Sequence, residues 1–157
     1  MRIGFGTDVH AFGPGDSVVL AGVRIPHSRG VIAHSDGDVA LHALCDALLG
    51  AAGLGDIGMH FSDRDAKWKG ADSRLFVESV MALLAGRRYT VLNADITLLA
   101  ETPRVGPYRD EMRRTVAQLL GIADNCVNIK ATTTEGLGFA GRNEGLMAHA
   151  VVLIQQH

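Results

Sequence analysis

The N-terminal third of the sequence contains acidic and histidine side chains at spacings that suit a metal ion. Asp8 and His10 are separated by one residue, so in an extended strand both project from the same side. Asp38, His42 and Asp46 follow at four-residue intervals in a segment of helical periodicity and form a polar stripe. One carboxylate and two imidazoles, from Asp8, His10 and His42, suit Zn²⁺ with its fourth position open, as in catalytic sites. The alternative is a helical histidine that makes an ordinary structural hydrogen bond.

Two loop segments contain residue types that suit phosphate. Residues 132–138 read TTTEGLG, and hydroxyls with unobstructed backbone N–H groups form a concavity that binds anions. Glu135 adds a carboxylate that can hold a divalent ion shared with phosphate oxygens, and Arg142 follows nearby. A solvated turn is the alternative, and the glycine-lysine pattern of P-loop proteins is missing. Residues 100–105, AETPRV, form a proline-containing loop with one arginine, Arg104, and are equally compatible with a surface connection.

Other polar residues near His42 have structural interpretations. Ser35 or Asp36 can cap the start of the helix. Asp38 can cap the same helix or bond the preceding loop. Asp46 is predicted to accept a hydrogen bond from the ring N–H of a metal-bound His42.

The elements that position these residues alternate between strand and helix patterns. Ala21 and Gly22 interrupt the second strand with a hairpin turn or bulge, and Gly53 and Gly55 end the first helix. This order predicts an α+β fold, with a mostly antiparallel sheet of four to five strands and helices on one face. Strands are predicted at residues 2–6, 17–25, 89–99, 127–131 and 147–154, and helices at 36–52, 72–84 and 108–120.

Composition and charge exclude several classes of protein. The chain has 157 residues, with 17 acidic and 15 basic side chains, so binding to nucleic acid through bulk charge is not expected. No stretch approaches the roughly 20 apolar residues of a membrane helix, and no targeting segment is recognisable. Cys45 and Cys126 have no CxxC spacing and are expected to be buried free thiols, which favours a cytoplasmic location. A single domain over residues 1–157 is expected.

Taken together and in this order, the motifs resemble one enzyme family, the 2-C-methyl-D-erythritol 2,4-cyclodiphosphate synthases, over essentially the whole chain. The resemblance implies a homotrimer with active sites between neighbouring subunits. It also implies cyclisation of 4-diphosphocytidyl-2-C-methyl-D-erythritol 2-phosphate to the 2,4-cyclodiphosphate, with release of CMP, in the non-mevalonate pathway to isoprenoid precursors. The segments that carry it are GTDVH (6–10), AHSDGDVALH (33–42), LGDIG (54–58), KGADS (69–73), KATTTE (130–135) and LGF (137–139).

The resemblance implies two kinds of bound metal ion. Asp8, His10 and His42 correspond to the zinc ligands, which is the set already proposed from spacing. Glu135 corresponds to a ligand of a second ion, Mg²⁺ or Mn²⁺, held at the diphosphate of the substrate.

The resemblance also implies which residues contact a cytidine diphosphate substrate. One group would surround the methylerythritol phosphate, and another would form the cytidine pocket and the diphosphate clamp. His34 and Thr133 correspond to positions that stabilise the transition state. The implied substrate-binding residues are Asp8, His10, His34, Ser35, Asp56, Ile57, Gly58, Phe61, Ser62, Asp63, Arg64, Asp65, Ala100, Glu101, Thr102, Pro103, Arg104, Val105, Gly106, Ala131, Thr132, Thr133, Thr134, Glu135, Phe139 and Arg142.

Several positions depart from the usual pattern of the family, three of them in or near predicted strands. Phe5 stands where histidine is usual, Thr7 where an aromatic residue is usual, and His149 where an acidic residue is usual. None of the three is an implied zinc ligand, so zinc binding is expected to be retained.

Two other functions would use the same residues. A zinc phosphohydrolase would bind the same ion but activate water, so its product phosphate would be open and not cyclic. A non-catalytic nucleotide-binding or trimeric scaffold protein would release no CMP. The scaffold reading leaves the coincidence of the metal set and the TTTE segment unexplained.

Overall fold

A computed structural model describes residues 1–62 and 64–157 of the chain. The strands are β1 (Arg2–Gly13), β2 (Ser17–Leu20), β3 (Val23–Pro26), β4 (Gly30–Val31), β5 (Tyr89–Leu99), β6 (Val127–Thr132) and β7 (Gly145–Gln156). The α-helices are α1 (Val39–Ala52), α2 (Ile57–His60), α3 (Arg74–Gly86), α4 (Arg109–Leu120) and α5 (Gly138–Gly141). Short 3₁₀ turns lie at Ala66–Trp68, Gly106–Tyr108 and Asp124–Cys126.

Five of these strands form the main sheet within the described residues, in the order β4-β1-β7-β5-β6. The neighbours are antiparallel except β5 and β6, which run parallel. The predicted α+β class is therefore confirmed, with a mixed sheet. The predicted strand at 17–25 is the separate hairpin β2-β3, whose turn is at Ala21 and Gly22 with φ values of 50° and 77°. The first strand is longer than predicted and extends to Gly13.

The two faces of the sheet differ in what covers them. In β7, alternate residues are buried beneath the helices, from Leu146 through Ala150 to Ile154. Helix α1 packs across β1, β7 and β5, while α3 contacts β5 and α4 contacts β6. On the opposite face, Ile3 is 72 % exposed and Phe5 is 61 % exposed. The prediction that helices occupy one face is confirmed, and the other face presents apolar side chains to solvent.

Strand β1 and helix α1 approach each other at two glycines. A Cβ atom built on Gly4 would lie 1.9 Å from the carbonyl oxygen of Ala47, and one on Gly6 would lie 2.0 Å from that of Ala43. Only glycine allows this separation, since real Cβ contacts are not found below about 3.0 Å. The two glycines therefore set the distance between the strand that carries Asp8 and the helix.

Helix α1 begins later than predicted, at Val39, and its N-cap is Asp38. The predicted caps, Ser35 and Asp36, were wrong, because both side chains bond elsewhere. The alternative assignment of Asp38 as a cap is confirmed.

Asp38 is fully buried and accepts four backbone hydrogen bonds. The N–H groups of Ala40 and Leu41 donate to it from the first turn of the helix, at 3.1 and 3.0 Å. The N–H groups of Ala21 and Gly22 donate from the β2-β3 turn, at 2.9 and 2.7 Å. Burial nevertheless raises the pKa of Asp38 to about 6. One carboxylate thus joins the hairpin to the start of α1.

The structure also tests the expectations about free cysteines and membrane-spanning helices. Cys45 is a buried free thiol as predicted, and Cys126 is free but only half-buried. Among the helices of the described residues, none has the length and apolar character needed to cross a bilayer.

Candidate metal centre and substrate pocket

Three predicted metal ligands meet where β1 passes the first turn of α1. Asp8 and His10 lie on the helix-facing side of β1, as their alternate spacing predicted. Asp8 Oδ2 is 3.0 Å from His10 Nε2 and 3.1 Å from His42 Nδ1. The two histidine nitrogens are 3.3 Å apart. The three donor atoms form a nearly equilateral triangle, and His10 and His42 also line a pocket.

The size of this triangle fits one divalent metal ion. With metal–ligand bonds of about 2.0–2.1 Å, adjacent donors of a tetrahedral zinc site are about 3.3 Å apart. Asp8, His10 and His42 therefore supply one triangular face of such a site and leave the fourth direction free. Within the described residues, these three side chains are the possible metal ligands whose donor atoms lie close enough together to share one ion.

The charges in this group reinforce one another. Burial alone would raise the pKa of Asp8, but hydrogen bonds and charge interactions with His10 and His42 outweigh it and lower that pKa to about 2. Burial would lower the pKa of His42, yet the bond to Asp8 raises it overall. Asp8 is therefore ionised at neutral pH, which is the form that binds a cation.

The other nitrogen of the His42 ring lies against two serine hydroxyls. Nε2 is 2.9 Å from Ser73 Oγ and 3.1 Å from Ser35 Oγ. The prediction that Asp46 occupies this position was wrong. Asp46 Oδ1 instead accepts the N–H of Ile57 at 2.7 Å, which ties α1 to the start of α2.

A pocket of about 350 Å³ opens beside the metal ligands. Its apolar side is a cluster of Phe61, Trp68 and Phe76, whose ring centroids are 4.9–5.2 Å apart. Phe76 is 4 % exposed and also belongs to the core. No motif identified Trp68, although the aromatic content of only 5 % made the lone tryptophan a useful signal. The lining residues are His10, Ala33, His34, Ser35, His42, Ile57, Gly58, Phe61, Trp68 and Phe76.

A larger groove of about 570 Å³ runs between α3 and α4. It is lined by residues such as Arg74 and Gln118, and none of the predicted site residues lies in it. Volume alone does not locate the functional site, whereas the convergence of metal ligands, hydroxyls and aromatic rings does.

Comparison with known proteins identifies the family of the chain. The sequence model of the YgbB family matches residues 1–155. The chain belongs to the YgbB family. It is 60% identical over 154 residues to a Xylella fastidiosa (strain 9a5c) protein named 2-C-methyl-D-erythritol 2,4-cyclodiphosphate synthase, covering 98% of this chain and 88% of the relative.

Two solved structures with the same enzyme name are similar over the whole fold. The first has a TM-score of 0.90 and 40% identity, and the match covers 98% of this chain and 100% of the other. The second, described as the form with CDP bound, has a TM-score of 0.90 and 39% identity with the same coverage.

In this YgbB-family chain, one group of the predicted substrate residues surrounds the pocket. His34 and Ser35 line it, and His34 Nε2 also lies 3.3 Å from the carbonyl oxygen of Asp65. Asp56 caps α2 by accepting the N–H of Met59, which orients Ile57 and Gly58 toward the pocket. The other predicted members of this group are Phe61 in the pocket, Ser62, Arg64 and Asp65 in the exposed loop beyond it, and Asp63, which lies outside the described residues.

The second group of predicted residues lies at the far side of the sheet. Residues 100–106 follow β5 and residues 131–135 end and follow β6, and the N–H of Ala100 donates to Thr132 O at 3.1 Å. From β1 to β6 there are three strand spacings, or roughly 14 Å. Glu135 is exposed and hydrogen-bonds Thr133. Within one chain it does not join the ligand group of Asp8, His10 and His42. Phe139 lies near Thr134 and Leu137, and Arg142 pairs with Glu144 at 2.8 Å.

His27 supports the loop at residues 100–106, although no sequence motif singles it out. Its Nε2 is 2.9 Å from Thr102 Oγ1, and its ring stacks on Phe12 with centroids 4.9 Å apart. The hydroxyl of Thr102 also bonds Asn143. The contact spans 75 residues, so only the tertiary structure reveals it.

Proposed function

We propose that this chain converts 4-diphosphocytidyl-2-C-methyl-D-erythritol 2-phosphate to 2-C-methyl-D-erythritol 2,4-cyclodiphosphate and releases CMP. The observation that carries the proposal is the 3.0–3.3 Å triangle of Asp8, His10 and His42, whose two histidines line a pocket together with His34. The shared family, and relatives named for this reaction, support it.

The proposed occupant of the triangle is zinc, and Glu135 is the proposed ligand of a second ion, Mg²⁺ or Mn²⁺. Two imidazole nitrogens with one carboxylate suit zinc, whereas an exposed carboxylate beside hydroxyls suits a hard cation that phosphate oxygens also bind. When bound, such ions supply positive charge and Lewis acidity toward phosphate oxygens.

The residues of the chain then position the two reacting ends of the substrate. The 2-phosphate is already ionised near neutral pH, so attack on the β-phosphorus needs no strong general base. His34 and Thr133 are proposed to donate toward phosphate oxygens as charge builds on them. The wall of Phe61, Trp68 and Phe76 offers an apolar surface to the methylerythritol carbons and excludes water that would otherwise compete. Holding both ends of one molecule favours ring closure over hydrolysis.

We further propose that the cytidine end binds residues 100–106 and 131–135, and that the chain forms a homotrimer with active sites between subunits. The roughly 14 Å between β1 and β6 separates the two groups within one chain. The uncovered sheet face, with Ile3, Phe5, Val9 and Val151 exposed, supports association, because monomers rarely expose large apolar patches. A relative solved with CDP supports a cytidine nucleotide as ligand. Sedimentation velocity should give a trimer mass, and Phe5→Asp should lower it.

The test of the reaction is incubation with the cytidyl substrate, zinc and magnesium, followed by ³¹P NMR. Cyclic diphosphate and CMP should appear together. His42→Ala should abolish zinc retention and CMP release, whereas His157→Ala, a matched change at an exposed histidine bonded to Thr90, should alter neither. An open-chain phosphate product would identify a zinc phosphohydrolase. Nucleotide binding with no CMP release would identify a scaffold and refute the proposal.

A further inference from the structure

We propose that Asp36 and Ser73 are positioning residues that keep the proton of the neutral His42 ring on Nε2 and so present an unprotonated Nδ1 to the metal position. This inference rests on the metal centre of the proposed function, but not on the cyclisation reaction. It assigns a role to two side chains that no part of the proposed reaction uses.

The direction of the hydrogen bonds carries the inference. A carboxylate accepts hydrogen bonds and cannot donate them, so the Ser73 hydroxyl donates its hydrogen bond to Asp36 Oδ1. With its own proton committed, Ser73 Oγ can only accept from His42 Nε2, which lies 2.9 Å away. Nε2 must then carry hydrogen, and in a neutral imidazole Nδ1 is left with a lone pair. That lone pair lies 3.3 Å from His10 Nε2 and 3.1 Å from Asp8 Oδ2. The ionised Asp8 carboxylate favours a proton on Nδ1, so the Asp36–Ser73 pair must outweigh Asp8 when the ring is neutral.

Ser73 itself is unusual for its place in the chain. It stands at the N-cap of α3, where a serine hydroxyl ordinarily accepts an N–H from the first turn. Its side chain makes no such bond, although the residue is fully buried. The hydroxyl lies instead against the His42 ring, and the Asp72 carboxylate accepts the N–H of Arg74 at 2.9 Å in its place.

Backbone hydrogen bonds hold the Asp36 carboxylate in the position where it accepts from the Ser73 hydroxyl. Its Oδ2 accepts the N–H of Ser73 at 3.1 Å, and its Oδ1 accepts the N–H of Asp38 at 3.2 Å. The Asp36 N–H donates to the carbonyl oxygen of Ala71 at 3.0 Å. The loop before α1 and the loop before α3 are therefore joined through one carboxylate, and a change at either loop reaches the ring of His42.

Ser35 shares the same ring nitrogen but does not fix its proton. Ser35 Oγ lies 3.1 Å from His42 Nε2 and accepts the N–H of Gly37 at 3.2 Å. Among residues 1–62 and 64–157, no carboxylate hydrogen-bonds the Ser35 hydroxyl, so this hydroxyl can donate to Nε2 as readily as it can accept. Without Asp36 or Ser73, the His42 proton should therefore no longer be confined to Nε2, even with Ser35 in place.

The direct test needs no variant. Nitrogen-15 NMR of the metal-free protein, at a pH where the imidazole is neutral, should show the His42 proton on Nε2. Finding it on Nδ1 would overturn the inference. Because this measurement involves neither substrate nor turnover, a failure of the proposed cyclisation and a failure of the positioning role are distinguishable.

Variants test the consequence for metal binding. Asp36→Asn keeps the shape of the side chain but replaces one acceptor oxygen by a donor, so Ser73 is free to donate to Nε2. We expect Asp36→Asn and Ser73→Ala to weaken zinc binding about 10- to 100-fold, the range typical of residues that orient metal ligands. Chelator competition measures this, and the NMR spectra should show Nδ1–H or a mixture.

The matched control is Ser79→Ala, on the same helix, whose hydroxyl bonds the carbonyl oxygen of Leu75. It should leave zinc affinity and tautomer unchanged. Circular dichroism establishes that each variant is folded, and Asp36→Asn remains informative should Ser73→Ala fail to fold. Zinc affinity equal to that of the starting protein in folded Asp36→Asn would refute the proposed role.

Discussion

Replacing Gly6 by alanine should damage the metal centre without touching a ligand. The added Cβ would lie 2.0 Å from Ala43 O and 2.6 Å from Ala47 N, both in the backbone of α1. Ordinary contact begins near 3.4 Å, so β1 and α1 must separate by about 1.4 Å at this point. Asp8 and His10 follow on the same strand and face, so they move together and away from His42.

The size of the effect follows from the spacing of the donor atoms. A separation of this size lengthens the 3.1 and 3.3 Å contacts of His42 with Asp8 and His10 to about 4 Å or more, beyond the roughly 3.3 Å edge of a zinc tetrahedron. Zinc then keeps two protein ligands, and we expect affinity to fall by more than the 10- to 100-fold seen when only a supporting hydrogen bond is lost. Overpacking should also lower the free energy of unfolding by about 1–3 kcal/mol.

The assay is zinc competition with a chromophoric chelator, together with denaturant unfolding. Gly50→Ala is the matched control, since Gly50 lies in α1 and a Cβ there meets nothing within 4 Å. It should leave zinc affinity unchanged and stabilise the helix by about 0.5–1 kcal/mol. A folded Gly6→Ala protein with unchanged zinc affinity would show that strand-to-helix spacing does not control the site.

Two further predictions concern the carboxylates near α1. Asp38→Ala leaves four buried or partly buried N–H groups without an acceptor and should lower the free energy of unfolding by about 3–5 kcal/mol in urea. Asp16→Ala, at an exposed carboxylate paired with Arg24, should change it by less than about 0.5 kcal/mol. In the metal-free protein, the pKa of Asp8 lies near 2 and below its ordinary 3.8 because, despite burial, bonds from His10 and His42 favour the ionised form. The contribution of Asp8 to stability is complete above about pH 4 and is lost as the pH falls toward 2. Asp8→Asn should therefore make the free energy of unfolding less dependent on pH between 4 and 2. Equal pH dependence in the variant and the starting protein would contradict this.

The metal ligands were predictable because their geometry is local. Strand alternation places Asp8 and His10 on one side whatever the rest of the chain does. Helical periodicity exposes His42 as a polar residue on an otherwise apolar segment. Spacing suggested the set of Asp8, His10 and His42, and the family resemblance agreed with it. The physical basis of their meeting, Gly4 and Gly6 against α1, appears only in three dimensions.

The partner of His42 could not be predicted from helical spacing. Side chains on a helix tilt toward its N-terminus, so the His42 ring points back toward Ser35 and Ser73 and away from Asp46, one turn ahead. Ser73 is 31 residues further along, and its approach depends on pairing between two loops. No periodic pattern encodes such a contact.

The start of α1 was misplaced for a related reason. Ser35, Asp36 and Asp38 are all good capping residues within four positions, and local preference does not separate them. The choice is made by the β2-β3 turn, whose N–H groups from Ala21 and Gly22 select the Asp38 carboxylate. The parallel pairing of β5 and β6 was equally hidden, because predicted strand order does not specify neighbours.

The position of β7 in the sheet has a consequence for how the chain matures during synthesis. This strand comes last in the described sequence, yet it lies between β1 and β5. Until residues 145–156 have left the ribosome, the strand that carries Asp8 and His10 lacks its main neighbour, and α1 has only part of the surface on which it packs. Nascent chains stalled before β7 should therefore lack an organised zinc site, whatever the duration of the stall.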